Sequence, residues 1–301
     1  MQRTLHLLES FNARGSDGAS YKVCAYERMR IWHESTAPWG EGVLEFRAAE
    51  LGEPDLGHVI ENGPLQAAAV AAFLERGGVH RPAGLERFEV QSEGVDVYAG
   101  GECLRARLLV GADGARSGVR AGLGLEPRVR PYGQRAIVAT VAMAEPHAAT
   151  AWQRFLGTGP LALLPLFDGR CSIVWSAREV LAAELLALDD AAFSRRLSAA
   201  SDGVLGAARL ASRRLAFPLH SLTLQDYVRP RCALIGDAAH VVHPLAGQGM
   251  NLGLLDAAAL CEAVAAALSQ GEDPGALRIL RGYQQARRTH NLAIGATMSF
   301  V

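Results

Sequence analysis

The chain has 301 residues, half of them hydrophobic, and a formal net charge of −1 at pH 7. This length allows a large buried core and predicts two interleaved lobes. The near-zero charge, with no polybasic cluster, excludes the electrostatic footprint of a nucleic-acid-binding protein and of a protein held on anionic membranes by basic residues.

The first predicted elements are a strand at 28–32, within a β-rich segment that reaches residue 46, and an apolar helix at 65–75. Between them lie His58, Glu61 and Asn62, candidates for polar contacts with a substrate or cofactor. His58 and Asn62, together with His243 further along the chain, are the catalytic candidates. Asn62 has an alternative explanation, because it precedes Pro64 and can cap the helix. Further along, the turn at 92–94 predicts a hairpin between short strands at 88–90 and 95–98.

Residues 107–120 predict a buried strand, a tight polar turn and the start of a helix. Gly114 permits close approach of the backbone to a ligand. Asp113 or Ser117 can cap the N–H groups at the start of the helix, in which Arg120 follows. A capped turn without any ligand contact is the alternative interpretation of this segment. Beyond it, alternating residues over 135–176 predict strands that form a second sheet together with the β-rich segment 28–46, and a helix is predicted at 192–199.

Residues 233–251 predict a second buried strand, another tight turn, a loop and a helix that opens near Asn251. Gly236 allows a sharp turn at the end of the strand, where Asp237 can accept hydrogen bonds from sugar-like hydroxyls. The helix continues over 252–268, and we predict that it is a core helix, too short and too interrupted by Asp256 and Glu262 to span a bilayer.

The loop in this segment begins at Pro244 and contains two glycines just before the helix. Gly247 and Gly249 carry no side chain, so backbone N–H groups can approach a planar or anionic ligand closely. Met250 follows directly. The positive end of the helix dipole favours negative charge on such a ligand.

The same segment has a metal-binding alternative, since Asp237, His240 and His243 recur every third residue. Pro244 opposes it, because it restricts His243 to extended geometry. No cysteine or carboxylate cluster elsewhere completes a ligand shell, and we predict no metal site.

The segment 233–251 closely resembles the second flavin-contacting motif of the FAD-dependent aromatic hydroxylases. The positions that match are Asp237, Pro244, Gly247, Gly249 and Asn251. The resemblance implies that Asp237 binds the ribityl chain, while the loop lies against the isoalloxazine and helix N–H groups face its pyrimidine edge.

The segment 107–120 resembles the Asp-Gly motif of the same hydroxylases. The positions that match are Asp113, Gly114, Ser117, Val119 and Arg120. In that family the motif lies near the pyrophosphate and is implicated in binding both FAD and NAD(P)H. The resemblance therefore implies that Asp113, Gly114, Ser117 and Arg120 contact the cofactor, together with Gly236, Met250 and the residues of the second motif.

From about residue 5 to 300, the chain resembles the hydroxylases of ubiquinone biosynthesis in order. This implies an α/β fold, in which an incomplete doubly wound FAD-binding domain is interleaved with a β-sheet substrate domain. It also implies FAD as cofactor, NAD(P)H and O₂ as co-substrates, and hydroxylation of a polyprenylated phenol or quinol. His240 and His243 are candidates for positioning the flavin or the phenol, with a satisfied structural histidine as the alternative for each.

On this basis residues 1–25, 63–130 and 216–272 are predicted to form the FAD-binding lobe. Residues 26–62 and 131–215 are predicted to form the substrate lobe, and 273–301 a C-terminal helix. The Gly-x-Gly-x-x-Gly turn with which the family normally opens does not precede Gly111. We therefore expect a chain shortened at both ends that binds FAD weakly.

Two other functions stay open. A catalytically impaired relative could bind a quinone-like lipid or serve a partner hydroxylase as an accessory subunit, and another flavoenzyme of the superfamily, such as a halogenase or a reductase, is the third interpretation. The five scattered cysteines favour a reducing compartment. We expect a cytoplasmic protein, at most peripheral at the inner membrane face, with a multi-enzyme ubiquinone-biosynthesis complex as candidate partner.

Overall fold

The structure is a computed structural model that describes residues 22–243 and 247–298. The described chain divides into two compact units. The first unit contains residues 73–132, 220–243 and 247–298, and the second contains residues 22–72 and 133–219. Each unit is thus built from separate stretches of the chain that alternate along the sequence, as expected for interleaved lobes.

Sixteen strands and six α-helices are found in the described ranges. The strands are β1 (Val23–Tyr26), β2 (Arg28–His33), β3 (Leu44–Arg47), β4 (Gly57–Ile60), β5 (Leu85–Val90), β6 (Val95–Ala99), β7 (Glu102–Ala106), β8 (Leu109–Gly111), β9 (Arg128–Met143), β10 (Thr150–Leu156), β11 (Gly159–Pro165), β12 (Cys171–Arg178), β13 (Ala208–Leu210), β14 (Leu215–Thr223), β15 (Val228–Arg229) and β16 (Cys232–Leu234). The helices are α1 (Asn62–Glu75), α2 (Gly118–Gly122), α3 (Glu179–Ala187), α4 (Asp190–Ala200), α5 (Gln248–Ser269) and α6 (Leu277–Met298).

An eight-stranded sheet dominates the second unit. Its strand order is β13-β9-β12-β11-β10-β2-β3, with β14 also paired to β9. Buried and half-buried residues alternate along β11, because successive side chains point to opposite faces of a sheet. The buried face packs on α3 and α4 through the aromatic and aliphatic residues Trp32, Ile137, Leu161, Ile173, Trp175, Leu185, Phe193 and Leu197. The sheet confirms the second sheet predicted from the sequence.

The first unit contains two small sheets. In one of them β16 runs parallel to β8 and antiparallel to β15. The other is the antiparallel order β5-β6-β7, whose first hairpin is the one predicted from the turn at 92–94. Helix α2 lies close to β8, since a Cβ added at Gly111 would come within 2.6 Å of Leu234 and 2.9 Å of Val119. The core of this unit is formed by Val119, Leu125, Tyr227, Leu234, Leu260, Leu280 and Tyr283.

Helix α5 corrects one prediction. It has 22 residues, and an 18-residue window within it has a mean hydropathy of 1.7, so by length and composition alone it is long enough and apolar enough to cross a membrane. The prediction that the segment is too short to span a bilayer was therefore wrong. A core helix passes the same test, and Leu252, Asp256 and Leu260 are buried at a spacing of four residues, which is one face of a helix.

Two element positions differ from the predicted lobe boundaries. Strand β1 lies in the second unit because it pairs with β4, although residues 1–25 were assigned to the FAD-binding lobe. Helix α6 is part of the first unit rather than a separate element, and the Tyr283 hydroxyl donates to the carbonyl of Leu234 at 2.7 Å. The other boundaries stay a prediction.

Candidate functional site

The site is organised by two parallel strands that end at the same edge. Leu234 of β16 is paired with Gly111 of β8, so the polar turn after each strand leaves the sheet on the same side. Gly114 and Gly236 have φ angles of 80° and 57°, which favour glycine. In α/β proteins ligands bind beyond the carboxyl ends of such strands.

In the first turn, Asp113 and Ser117 hold the start of helix α2. The Asp113 carboxylate accepts the N–H of Val119 at 3.1 Å, and the Ser117 hydroxyl accepts the N–H of Arg120 at 2.9 Å. Partial burial opposes the charge on Asp113, but hydrogen bonds from Ser117 and from backbone N–H groups outweigh it and hold the pKa of Asp113 below its usual value. The carboxylate is thus kept ionised, and capping, the sequence alternative, accounts for both residues.

Arg120 connects the two turns. Its guanidinium donates to the carbonyl of Ala238 at 3.0 Å and to that of Ala115 at 2.7 Å, and the residue is buried. These bonds give Arg120 a structural role that the sequence did not indicate. Direct contact of Arg120 with a cofactor stays a prediction.

The second turn presents Asp237 to solvent. A 3-10 turn covers Gly236–Ala238, and Asp237 is exposed while Ala238 is buried. Within the described ranges no hydrogen bond engages the Asp237 carboxylate. The turn lies against α5, since a Cβ added at Gly253 would come within 3.2 Å of the Cα of Gly236. Asp237 therefore has a fixed backbone and a carboxylate without a partner among the described residues, which suits a ligand contact.

Helix α5 begins at Gln248, three residues before the predicted start. Gly247 is the N-cap residue, with a φ of 62°, and as a glycine it contributes no capping side chain. Gly249, Met250 and Asn251 therefore lie in the first turn, where backbone N–H groups lack partners within the helix. An added Cβ at Gly249 meets no atom within 4 Å, and Met250 is exposed. Pro244 lies outside the described residues.

A buried polar cluster beneath the second turn was missed by the sequence analysis. Asp256 is fully buried and accepts four hydrogen bonds. One oxygen accepts from the N–H of Gly236 at 3.1 Å and is 2.5 Å from Nε2 of His240. The other accepts from Nε of Arg287 at 2.9 Å and Nδ2 of Asn291 at 3.0 Å. We call Asp256, His240, Arg287 and Asn291 the Asp256 cluster.

The charge state of this cluster makes folding dependent on pH. Burial favours the neutral acid, but the bonds from His240, Arg287 and Asn291 outweigh it and lower the pKa of Asp256. A carboxyl whose pKa is lower in the folded state stabilises the fold above its unfolded pKa of about 3.9, and this contribution is lost as the pH falls through the folded value.

We therefore expect Asp256→Asn to be less stable than the parent chain at pH 7, with a difference that shrinks as the pH falls below about 4. Urea unfolding followed by circular dichroism at a series of pH values measures it. A difference that stays constant down to pH 3 would contradict the assignment.

The three catalytic candidates lie in two different units. His243 lies in the first unit, buried, with its ring centroid 4.9 Å from that of Tyr132, and burial lowers its pKa. His58 is in β4 of the second unit, with Nδ1 3.5 Å from Oδ1 of Asp55. Asn62 is the first residue of α1. Their catalytic roles stay predictions.

The metal alternative finds no support in the described part of the chain. No group of three or more His, Cys, Asp or Glu side chains there could hold a metal ion. His240, one of the three residues considered, instead directs Nε2 to Asp256. Its bond with Asp256 is the role that the structure gives it.

The chain has relatives among known proteins. Residues 86–294 match a family described as FAD binding domain. Ubiquinone hydroxylase UbiL of Rhodospirillum rubrum is 40% identical over 252 residues, covering 83% of this chain and 58% of that protein. The mitochondrial ubiquinone biosynthesis monooxygenase COQ6 of Mus musculus is 34% identical, covering 96% of this chain and 69% of that protein. The chain thus spans less than two thirds of the length of UbiL.

A solved structure has a similar fold. PqsL of Pseudomonas aeruginosa, in complex with 2-aminobenzoylacetate, is 26% identical with a TM-score of 0.79, and the match covers 99% of this chain and 81% of that one. Another structure of PqsL is described as a probable FAD-dependent monooxygenase. This similarity confirms the predicted α/β fold of the aromatic hydroxylase type.

Proposed function

This chain belongs to the FAD binding domain family, and from that premise we propose that it acts as a flavin-dependent monooxygenase. The proposed reaction is hydroxylation of the aromatic ring of a polyprenylated phenol or quinol, with NAD(P)H and O₂ as co-substrates. The observation that carries the proposal is the pair of Asp-Gly and Gly-Asp turns beyond two parallel strands, with the start of α5 beside the second turn.

The residues present fit a flavin. Asp237 offers an exposed carboxylate without a partner in the described chain, which suits the hydroxyls of a ribityl chain. The start of α5 places backbone N–H groups at the positive end of a 22-residue helix, which suits the electron-rich edge of a flavin ring. Gly114 and Gly236 leave the backbone of both turns open to close approach.

Each residue then has a defined task. Asp237 binds the ribityl chain, and the N-terminal residues of α5 face the flavin ring. Gly114 lets the turn after β8 approach the pyrophosphate. Asp113 and Arg120 keep that turn and its neighbour in place through their backbone hydrogen bonds. Bound FAD would supply the redox chemistry with NAD(P)H and O₂, so the protein needs no nucleophile of its own.

The substrate class and setting are inferred from relatives. UbiL is named a ubiquinone hydroxylase and COQ6 a ubiquinone biosynthesis monooxygenase, which supports a quinone precursor as the substrate of this chain. A cytoplasmic location with at most peripheral membrane contact, and membership of a multi-enzyme ubiquinone-biosynthesis complex, belong to the same proposal.

The first test is a titration of the purified 301-residue chain with FAD, FMN and riboflavin, followed by flavin fluorescence. We expect saturable binding of all three, because the contacts assigned above address the ribityl chain and ring that they share. A chain that is folded by circular dichroism but binds none of them would overturn the proposal.

The second test concerns the substrate. With FAD and NAD(P)H present, a phenol carrying a short prenyl chain should yield a product heavier by one oxygen atom in mass spectrometry, and the matched phenol without the chain should yield less. Flavin binding without any oxygenated product would retain the cofactor assignment and reject the reaction.

A further inference from the structure

The Asp256 cluster joins the cofactor-side turn to a distant part of the chain. Asp256 lies in α5, and Arg287 and Asn291 lie in α6, 31 and 35 residues further along. On the other side, Asp256 accepts the N–H of Gly236, the residue directly before Asp237. One fully buried carboxylate therefore links α5 and α6 to the backbone of the second turn.

Two of the four bonds of this carboxylate reach the second turn and the residue that closes it, His240. The oxygen that binds the N–H of Gly236 is also 2.5 Å from Nε2 of His240. The first residue of the turn and a residue just after it are therefore held by the same carboxylate oxygen. The opposite oxygen is held by Arg287, whose Nη2 also donates to Oδ1 of Asn291 at 2.9 Å. Charge-assisted bonds of this kind are the strong ones in a protein interior.

We infer that Asp256 is a positioning residue for flavin binding: it holds the Gly236-Asp237 turn so that the Asp237 carboxylate meets the ribityl chain, and Arg287 and Asn291 hold Asp256 in turn. The inference rests on the proposed function for the identity of the ligand. It assigns α6 a part in cofactor binding although no residue of α6 needs to touch the flavin.

The chain offers a matched control. Asp273 also pairs with a buried arginine, Arg231, at 2.7 Å, and also accepts a glycine N–H, that of Gly275, at 3.1 Å. It lies in the same unit and shares no hydrogen bond with the Gly236-Asp237 turn. Asp273→Asn therefore also removes a carboxylate bonded to an arginine and a glycine N–H, at a site that is 37% exposed where Asp256 is fully buried, and only Asp256 should matter to the ligand.

The experiment measures riboflavin affinity in the full chain. We expect Asp256→Asn to raise the Kd about tenfold and Asp273→Asn to leave it within about twofold of the parent. When Asp237→Ala is already present, Asp256→Asn should add less than about twofold, because it acts through Asp237. Equal effects of the two Asn variants, or an additive effect in the double variant, would overturn the inference.

Hydrogen exchange provides a readout without flavin. A peptide covering residues 234–240 should exchange about tenfold faster in Asp256→Asn than in Asp273→Asn. If the parent chain bound no flavin, the proposed function would fail, and this comparison would still decide whether Asp256 orders the turn. Unchanged exchange would overturn that role.

A gentler variant covers the case in which Asp256→Asn does not fold. Asn291→Ala removes one donor to Asp256 and should raise the riboflavin Kd in the same direction, by about threefold. No increase in a folded Asn291→Ala chain would count against the inference.

Discussion

Replacement of Gly159 by Ala is expected to lower the free energy of unfolding of the second unit by about 3–5 kcal/mol. Gly159 begins β11 with a φ of 128°, a conformation that side chains rarely adopt. An added Cβ would also overlap the backbone carbonyl of Ser176 in β12, which cannot move without disturbing the β11–β12 pairing. The free-energy costs of backbone strain and of steric overlap therefore add.

Urea unfolding followed by tryptophan fluorescence measures this loss, because all four tryptophans lie in the second unit. Gly169→Ala is the matched control. Gly169 has a φ of 83° in another turn of the same unit, and an added Cβ there meets nothing within 4 Å. The control should lose only about 1–2 kcal/mol from backbone strain. A Gly159→Ala chain no less stable than the control would contradict the clash.

The fold was predictable wherever its signals are local. The hairpin around 92–94 and the strands before Asp113 and Asp237 follow from short runs of apolar residues ended by Gly and Asp. Helix α3 and strand β7 were missed. The sequence of α3 does not indicate which face is buried, since Ala and Leu occur all round the helix and only Ala182 and Leu185 are buried. The helix packs on β12, and this tertiary contact cannot be predicted from the local sequence.

The two turns of the site were predictable for the same reason, because each motif is contiguous. The Asp256 cluster was not, since its members extend from His240 to Asn291 along the chain and meet only through the packing of α5 and α6. One signal was available in the sequence: a carboxylate within an apolar helix costs free energy unless it is paired.

Substitution of Asp237 by Ala is expected to raise the Kd for riboflavin about 10–100-fold. The carboxylate is exposed and free of partners in the described chain, so its removal should cost little stability while it deletes charged acceptors for the ribityl hydroxyls. Asp237→Asn keeps one acceptor oxygen and should fall between Ala and the parent. Fluorescence titration of each variant gives the Kd.

The ligand itself offers the sharpest control. Lumiflavin has the same ring without the ribityl chain, so its affinity should not change in Asp237→Ala. Glu262→Ala, on an exposed position of the same helix α5, should leave the affinity for both ligands unchanged. Loss of riboflavin binding alone locates the contact at the ribityl chain. Equal losses for riboflavin and lumiflavin would mean that Asp237 supports the turn rather than the ligand, and unchanged binding of both would remove Asp237 from the site.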